Sequence, residues 1–586
     1  MPKQTAHRDL KGSQVEIDQD QFEVVEQRAD YIPAAQLIDG TATADLLNRV
    51  HHALMAKGTT LIVGPRGCGK THMMRYTSVV CQDSKDLPFC VYVSFNRYYR
   101  LEPLTKARSN AIDLFHAWVL ARIVLGVNET LSSITFPSLF QQQSLNLLEF
   151  PAPRYQSLVD KLERGLGLDD QEEEVFNSLS IERLKVLIDS AAHASGRKRS
   201  VLLLDDAALT LTPEYLQELF DIIRSIKSPT IAPKASVYPG TTEYGPRFHA
   251  TQEAQILSVW LSIDDPEYSE VMGAIARQRY PEFDKIPPDA SEYLKFASFG
   301  IPRAYLMMLH QYRLSSERSQ QSLNRIVEEH ATARVEEYRS LALKAPRFAT
   351  LIRKGEEVFR TTVRALKDQN DVLENRNEKQ LLIGISGAEP YPLIGRMLHL
   401  LMEAGLLFEH PKVSHGGPDR TYDRYTPHLA ALLQVRAFSG KERGTSPRQV
   451  VEALKRRSTK HPLRRSLTSL IDKSELDALR LDLPPCAKCH TPRLSEGQRF
   501  CHQCGNELSD VSTFARCMSL SLTQVPGLTS WLRERIEEDL SQIKTIGDLL
   551  AHQDPGTELR KIKRVGQKRA AKVIDAVTIF VDEFLS

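Results

Sequence analysis

TTLIVGPRGCGKTHMMRYTSV, residues 59–79, is the stretch whose reading decides the fold. Thr60–Val63 is a short β-branched, apolar run, the composition of a strand buried on both faces of a parallel sheet. It leads into Gly64-Pro-Arg-Gly-Cys-Gly-Lys70-Thr71 and then into a helical pattern. GxxxxGK[ST] between a strand and a helix is the spacing of a loop that wraps phosphates. Its glycines let backbone N–H groups turn inward, and the helix N-terminus adds a favourable dipole. Gly64, Pro65, Arg66, Gly67, Cys68, Gly69, Lys70, Thr71 and His72 are therefore the candidate nucleotide contacts. Lys70 is expected to reach the β- and γ-phosphates, and the Thr71 hydroxyl to ligate Mg²⁺.

A second apolar run, Val201–Leu204, ends in Asp205-Asp206. Beside a phosphate loop, Asp205 is placed to hold Mg²⁺, and Asp206 to orient or deprotonate an attacking water. Further strands are expected at Phe89–Ser94, Ala235–Tyr238 and Ile256–Ile263. Strands alternating with helical stretches predict an α/β fold with a parallel sheet.

On these motifs residues 40–340 resemble AAA+ ATPases, in particular the origin-recognition and helicase-loader type, and the related STAND NTPases. The resemblance implies an ATPase core over 40–265 after an N-terminal arm at 1–39, with a helical lid over 266–345. It also implies a polar sensor after the next strand, Thr241 or Thr242 in Pro239-Gly-Thr-Thr, and a second sensor, Arg303 in SFGIPRAYL. Arg247, in YGPRF, takes the place of an arginine that acts on a neighbouring subunit's nucleotide. The usual Asp-Glu of AAA+ enzymes is Asp-Asp here. The shorter acid resembles the STAND pattern and implies slow turnover, a switch more than a motor. Residues 100–198 form a mostly helical insertion, with LFHAWVLARIVLGV and IERLKVLIDSAAHA as its helices. It carries no assignable chemistry and is expected to be scaffold or partner surface.

After the lid, a charged helix precedes a pattern of helix, strand, Gly/Pro/Asp-rich tip and strand, giving a helix plus winged-helix domain at 346–440. Lys412, His415, Arg420 and Arg424 would put positive charge on its wing, where phosphate contact is typical, although winged helices also dock proteins. Residues 441–482 read as a basic linker containing a helix. From Lys455 to Arg465 it has six Lys/Arg and no acid, a solvated face or a phosphate-neutralising strip.

Of eight cysteines, four form the pairs Cys486-x-x-Cys489 and Cys501-x-x-Cys504. The spacing resembles a zinc ribbon over 483–509, in which two knuckles complete a closed, structural S₄ site. His490 and His502 adjoin the knuckles, but four thiolates already suffice. The tail, 510–586, contains Val525-Pro-Gly527 and Val565-Gly566 as bends between helices. It resembles tandem helix–hairpin–helix domains and the C-terminal domain of the RNA polymerase alpha subunit. Gly566 is expected to permit a close turn, exposing N–H groups to a nucleic-acid phosphate, with Gln567, Lys568, Arg569 and Lys572 adding donors.

With 586 residues the chain has room for about four domains. A net charge of +2 excludes any argument from whole-chain electrostatics. On the sequence, no apolar run is expected to approach the roughly 18–20 residues that cross a bilayer, and the N-terminus lacks an apolar signal core. A cytoplasmic protein without a membrane partner is expected. Together these readings imply a switch that binds ATP, Mg²⁺ and Zn²⁺, forms a homo-oligomer with nucleotide, and acts on nucleic acid, DNA more than RNA. Loading, repair and genome defence all suit it, with or without an effector protein. The alternative is a nucleotide-dependent signalling scaffold whose C-terminal modules recognise protein.

Overall fold

Leu202 and Leu204 turn to one side of the strand Ser200–Asp205, and Val201 and Leu203 to the other; all four are fully buried. That alternation is the period-two geometry of a strand covered on both faces. The computed structural model describes residues 29, 32–42, 44–96, 101, 109–134, 147–207, 212–315, 317–373, 378–414, 421–438, 445–458, 461–495, 498, 500–506, 508, 513–525, 528, 530–539, 543–552 and 554–585. Five strands form the first sheet: β1 (Thr59–Val63), β2 (Phe89–Ser94), β3 (Ser200–Asp205), β4 (Ile231–Val237) and β5 (Ala254–Ser258). Their order is β2-β3-β4-β1-β5 and every pairing is parallel.

Helices α1 (Ala34–Asp39), α2 (Asp45–Met55) and α3 (Lys70–Asp83) come before β2. Between β2 and β3 lie α4 (Ala111–Ser133), α5 (Ala152–Glu163), α6 (Asp170–Ser178) and α7 (Ile181–Ala194), and α8 (Pro213–Ile226) precedes β4. Leu202 and Leu204 pack with α4, α5, α7 and α8, whereas Val201 and Leu203 share a core with Val50 and Leu54 of α2 and Met73 and Met74 of α3. By length and composition α4 could cross a membrane, which corrects the expectation of no such run. Its window is 72% buried inside the protein, where it packs against the β2 side chains.

Two strands differ from their expected limits. β4 begins four residues early, because the buried Lys234 interrupts an otherwise apolar strand. Its ammonium donates to the carbonyls of Ala56 and Gly58, both at 2.8 Å, and to Thr60 Oγ1 at 3.0 Å. Burial pulls its pKa down to about 8. β5 stops at Ser258, and Trp260 then turns away, its indole donating to Phe299 O at 2.7 Å.

Over the span expected to form the lid lie α9 (Tyr268–Arg279), α10 (Pro288–Ala297), α11 (Pro302–Leu314) and α12 (Gln320–Lys344). Next come α13 (Ala349–Val372), β6 (Lys379–Gln380), β7 (Ile383–Ser386), α14 (Pro392–Glu403), β8 (Leu407–Ser414), β9 (Thr421–Pro427), α15 (Leu429–Gln434), α16 (Pro447–Lys455), β10 (Arg457–Ser458) and β11 (Leu463–Ser466). The second sheet has the order β11-β7-β9-β8, with β8 and β9 an antiparallel hairpin. Among the described residues β10 pairs with β6 alone.

Within 441–482, residues 445–458 and 461–482 are not a free linker. β11 extends the second sheet by pairing with β7, and one apolar core joins the lid, α13–α15 and α16. Three of the strip's six cations take part in this docking: Arg457 donates to Asp264 at 2.7 Å, Lys455 lies 3.7 Å from Glu292, and Arg464 sits over the Tyr422 ring. Within the hairpin, Lys412 pairs with Asp423 at 2.7 Å and Arg424 donates to Pro411 O. Each is partly engaged by a neighbouring strand, but the Lys412 side chain is 64% exposed and both keep further N–H groups. His415 and Arg420 lie outside the described residues.

Candidate functional site

β3, β4 and β1 are neighbours in a parallel sheet, so the segments leaving their C-terminal ends meet along one edge. That edge is where open α/β sheets bind ligands. After β1 the phosphate loop turns into α3 through Gly67 and Gly69, at φ 82° and 101°. A side chain at Gly67 would also strike Arg303 Cβ and Ile301 Cγ2, at 3.1 and 3.2 Å. The lid helix α11 therefore starts against the loop, and the Arg303 N–H lies 3.4 Å from Gly67 O. Arg303 is brought to the loop, with its side chain exposed.

Lys70 is buried and donates to the carbonyls of Gly64 (2.6 Å) and Pro65 (3.3 Å). Its ammonium stands 4.2 Å above the centre of the Tyr238 ring. Cys68 is buried beside it, and that burial pushes the thiol pKa up, against the Lys70 charge. At the end of β3, Asp205 is fully buried: one carboxylate oxygen accepts from the Tyr92 hydroxyl at 3.0 Å, and Oδ1 has no hydrogen-bond partner among the described residues. A buried, unbonded carboxylate oxygen is costly. The Asp205 oxygen, and the Thr71 hydroxyl at the start of α3, are hard donors of the kind that would suit Mg²⁺. Asp206 adopts a left-handed backbone, φ 53°, and its N–H donates to Ser236 Oγ at 2.8 Å. Non-glycine residues at positive φ are uncommon and concentrate at functional sites.

The turn after β4 is held from a distance. Glu403, at the end of α14, accepts from Gly240 N (3.0 Å), Thr241 N (2.8 Å) and Thr241 Oγ1 (3.0 Å). Burial raises the Glu403 pKa, opposed by these donors and by the charge of Arg66. Gly240 is required by close approach: a Cβ there would lie 2.7 Å from the Leu400 backbone. Arg396 of α14 donates to Gly240 O at 3.0 Å, and Arg347 to Glu243 at 2.9 Å. The Thr242 hydroxyl accepts from Tyr238 N at 2.9 Å and closes the turn. Both threonines are thus at the edge, but Thr241 is engaged by another element and Thr242 by its own backbone.

Two expected site residues point elsewhere. His72 Nε2 lies 2.8 Å from Thr41 Oγ1, whose own proton goes to Leu37 O at 2.6 Å. His72 therefore donates through Nε2, tying α3 to the segment after α1 instead of facing phosphate. Burial, aided by Arg279 and Arg75, lowers its pKa to about 4. Arg247 is exposed on the surface and pairs with Asp221 of α8 at 3.2 Å, away from this chain's own loop. Sequence reasoning missed Tyr92, Tyr238 and Glu403. Tyr238 closes an expected strand, so its position was readable; Glu403 comes from 162 residues beyond Thr241 and left no local signal.

The sulfurs of Cys486, Cys489, Cys501 and Cys504 all lie within 4.8 Å of one another. Their two knuckles repeat one backbone pattern: His490 N donates to Cys486 O (2.8 Å) and Gly505 N to Cys501 O (2.9 Å), both donors at positive φ. Four convergent thiolates fit Zn²⁺ and leave no ligand position for a histidine. His502 instead stands 3.3 Å from Gln498.

In the tail, α17 (Thr513–Ser519), α18 (Ser530–Asp539), α19 (Ile546–Ala551), α20 (Pro555–Leu559) and α21 (Gln567–Leu585) pack around Leu522, Ile546, Ile562, Val573 and Val577. Gly566 departs from expectation: it does not adopt positive φ, and a Cβ there would meet nothing within 4 Å. The left-handed residue is Arg564, at φ 68°. Gln567, Arg569 and Lys572 are exposed on the first turns of α21, where Lys568 also falls. Arg569 is partly restrained, donating to Arg564 O at 2.9 Å and lying 5.0 Å over the Trp531 ring. Pro526 and Gly527 lie outside the described residues.

Residues 44–100 match the family described as ORC-CDC6-like, a span that takes in β1, the loop, α3 and β2. No curated protein matches the chain. Among solved structures it is similar to a Walker-type ATPase of Pyrococcus abyssi, at 13% identity over 67% of this chain and 95% of that one, with a TM-score of 0.34. It is also similar to the Aeropyrum pernix Orc1 protein in complex with DNA, at 14% identity over 70% and 95%, with a TM-score of 0.30. Both likenesses are too distant to assign a function.

Proposed function

We propose that the chain is an ATP-binding, slowly hydrolysing switch of the AAA+/STAND kind that self-associates with nucleotide and acts on DNA in the cytoplasm. The observation that carries the reading is the sheet edge itself: a GxxxxGK[ST] loop, a buried aspartate with an unbonded oxygen, and a polar turn on three adjacent parallel strands. The match of residues 44–100 supports it. Loop N–H groups and Lys70 bind the phosphates, Lys70 exchanging its loop carbonyls for phosphate oxygens. Asp206 orients the attacking water, its carboxylate set by the left-handed backbone. Thr71 and Asp205 would hold Mg²⁺, which neutralises charge on the β- and γ-phosphates when bound. Arg303 reaches the phosphates from the lid, and Arg247, exposed though paired with Asp221, serves a second copy by exchanging that surface pair. Four cysteines would hold structural Zn²⁺, and the first turns of α21 would contact nucleic-acid phosphates without reading bases.

The test is particle mass in solution for the zinc-loaded chain, with and without a slowly hydrolysed ATP analogue, each with and without duplex DNA. Mass should rise with the analogue and again with DNA. A mass unmoved by either ligand contradicts the proposal.

A further inference from the structure

Thr241 sits on the nucleotide edge, yet its donors are already committed. The Gly240 and Thr241 N–H groups and the Thr241 hydroxyl all point to the Glu403 carboxylate, 2.8–3.0 Å away. Glu403 is buried, and among the described residues no lysine or arginine pairs with it at salt-bridge distance; the charge of Arg66, in the phosphate loop, acts on it through space. α14 cannot easily drift from this position. Leu400 backbone lies where a Cβ of Gly240 would be, Arg396 holds Gly240 O, and a side chain at Gly405 would meet Pro65 Cβ at 3.5 Å.

We propose that Glu403 is a specificity-determining residue of the nucleotide site, one that favours nucleoside diphosphate over triphosphate through the Thr241 turn. The inference rests on the nucleotide reading above. A γ-phosphate at this edge seeks the same donors that Glu403 holds, and its charge adds to a like charge in a buried setting. A diphosphate ends short of the turn and meets neither obstacle. The carboxylate thus works as a repulsive element against the one of two ligands that carries a γ-phosphate, their contacts as far as the β-phosphate being shared.

The experiment is calorimetric titration of the full, zinc-loaded chain with Mg²⁺-ADP and with a slowly hydrolysed Mg²⁺-ATP analogue, for wild type, Glu403→Gln and Glu403→Ala. Glu403→Gln should bind the triphosphate about tenfold more tightly and shift the diphosphate by less than about twofold. Glu403→Ala should move the ratio in the same direction, so a poorly folded Gln variant does not leave the matter open. A ratio unchanged in both variants, or both nucleotides shifting together as a merely structural contact would give, overturns the inference. If wild type binds neither nucleotide, the nucleotide reading fails, and this inference with it.

Discussion

The nucleotide edge and the tail helix α21 are both readings of phosphate binding, but they are built in opposite ways. At the edge Lys70, Asp205 and Thr241 are buried, Lys70 bonded to the loop carbonyls before it and Asp205 and Thr241 to Tyr92 and Glu403 on other elements. On α21, Gln567, Arg569 and Lys572 are exposed, and the bonds given for Arg569 run to its own approach loop and to Trp531. Buried, cross-linked polar groups discriminate, because each unmatched group costs its full desolvation. Exposed cations in water attract any polyanion and are screened by salt. One region is thus suited to telling ligands apart, the other to holding a backbone whatever its sequence.

That contrast ranks the experiments. Lys70→Ala should reduce ATP hydrolysis by about 100-fold or more, since the buried ammonium held against the Gly64 and Pro65 carbonyls is lost; phosphate release measures it. Stripping zinc with a chelator, or Cys489→Ser, should unfold residues 483–509 as a unit, seen as loss of bound zinc together with new protease cleavage there, and leave ATP binding within about threefold. Asp206→Asn should lower turnover about 10- to 100-fold and change nucleotide affinity by less than about threefold, separating water orientation from binding. Lys572→Ala should weaken DNA binding by only about three- to tenfold, equally for unrelated sequences, and reduce the salt slope by about 1. A strong sequence preference at the tail would erase the contrast between the two regions.

What could be read in advance followed the range over which a residue's partners lie. The phosphate loop, Asp205-Asp206 and the CxxC pairs are local patterns whose chemistry depends on near neighbours, so their spacing suffices. Lys234 hid the first half of β4, because the acceptors that make a buried lysine tolerable come from the chain around Ala56–Thr60. Residues 441–482 looked like a basic linker because charge marks solvent by default; only the pairing of β11 with β7 and of Arg457 with Asp264 shows otherwise. His72 was drawn to the phosphates by adjacency, although its ring lies with Thr41. Glu403 could not be found locally at all, since its meaning comes from a turn 162 residues earlier.

The most direct measurement is equilibrium binding of Mg²⁺-ATP to the full, zinc-loaded chain beside its Lys70→Ala variant. One nucleotide per wild-type chain is expected, with binding by the variant weakened beyond detection. No binding by wild type, or equal binding by the two proteins, would contradict a nucleotide site at the meeting edge of β1, β3 and β4.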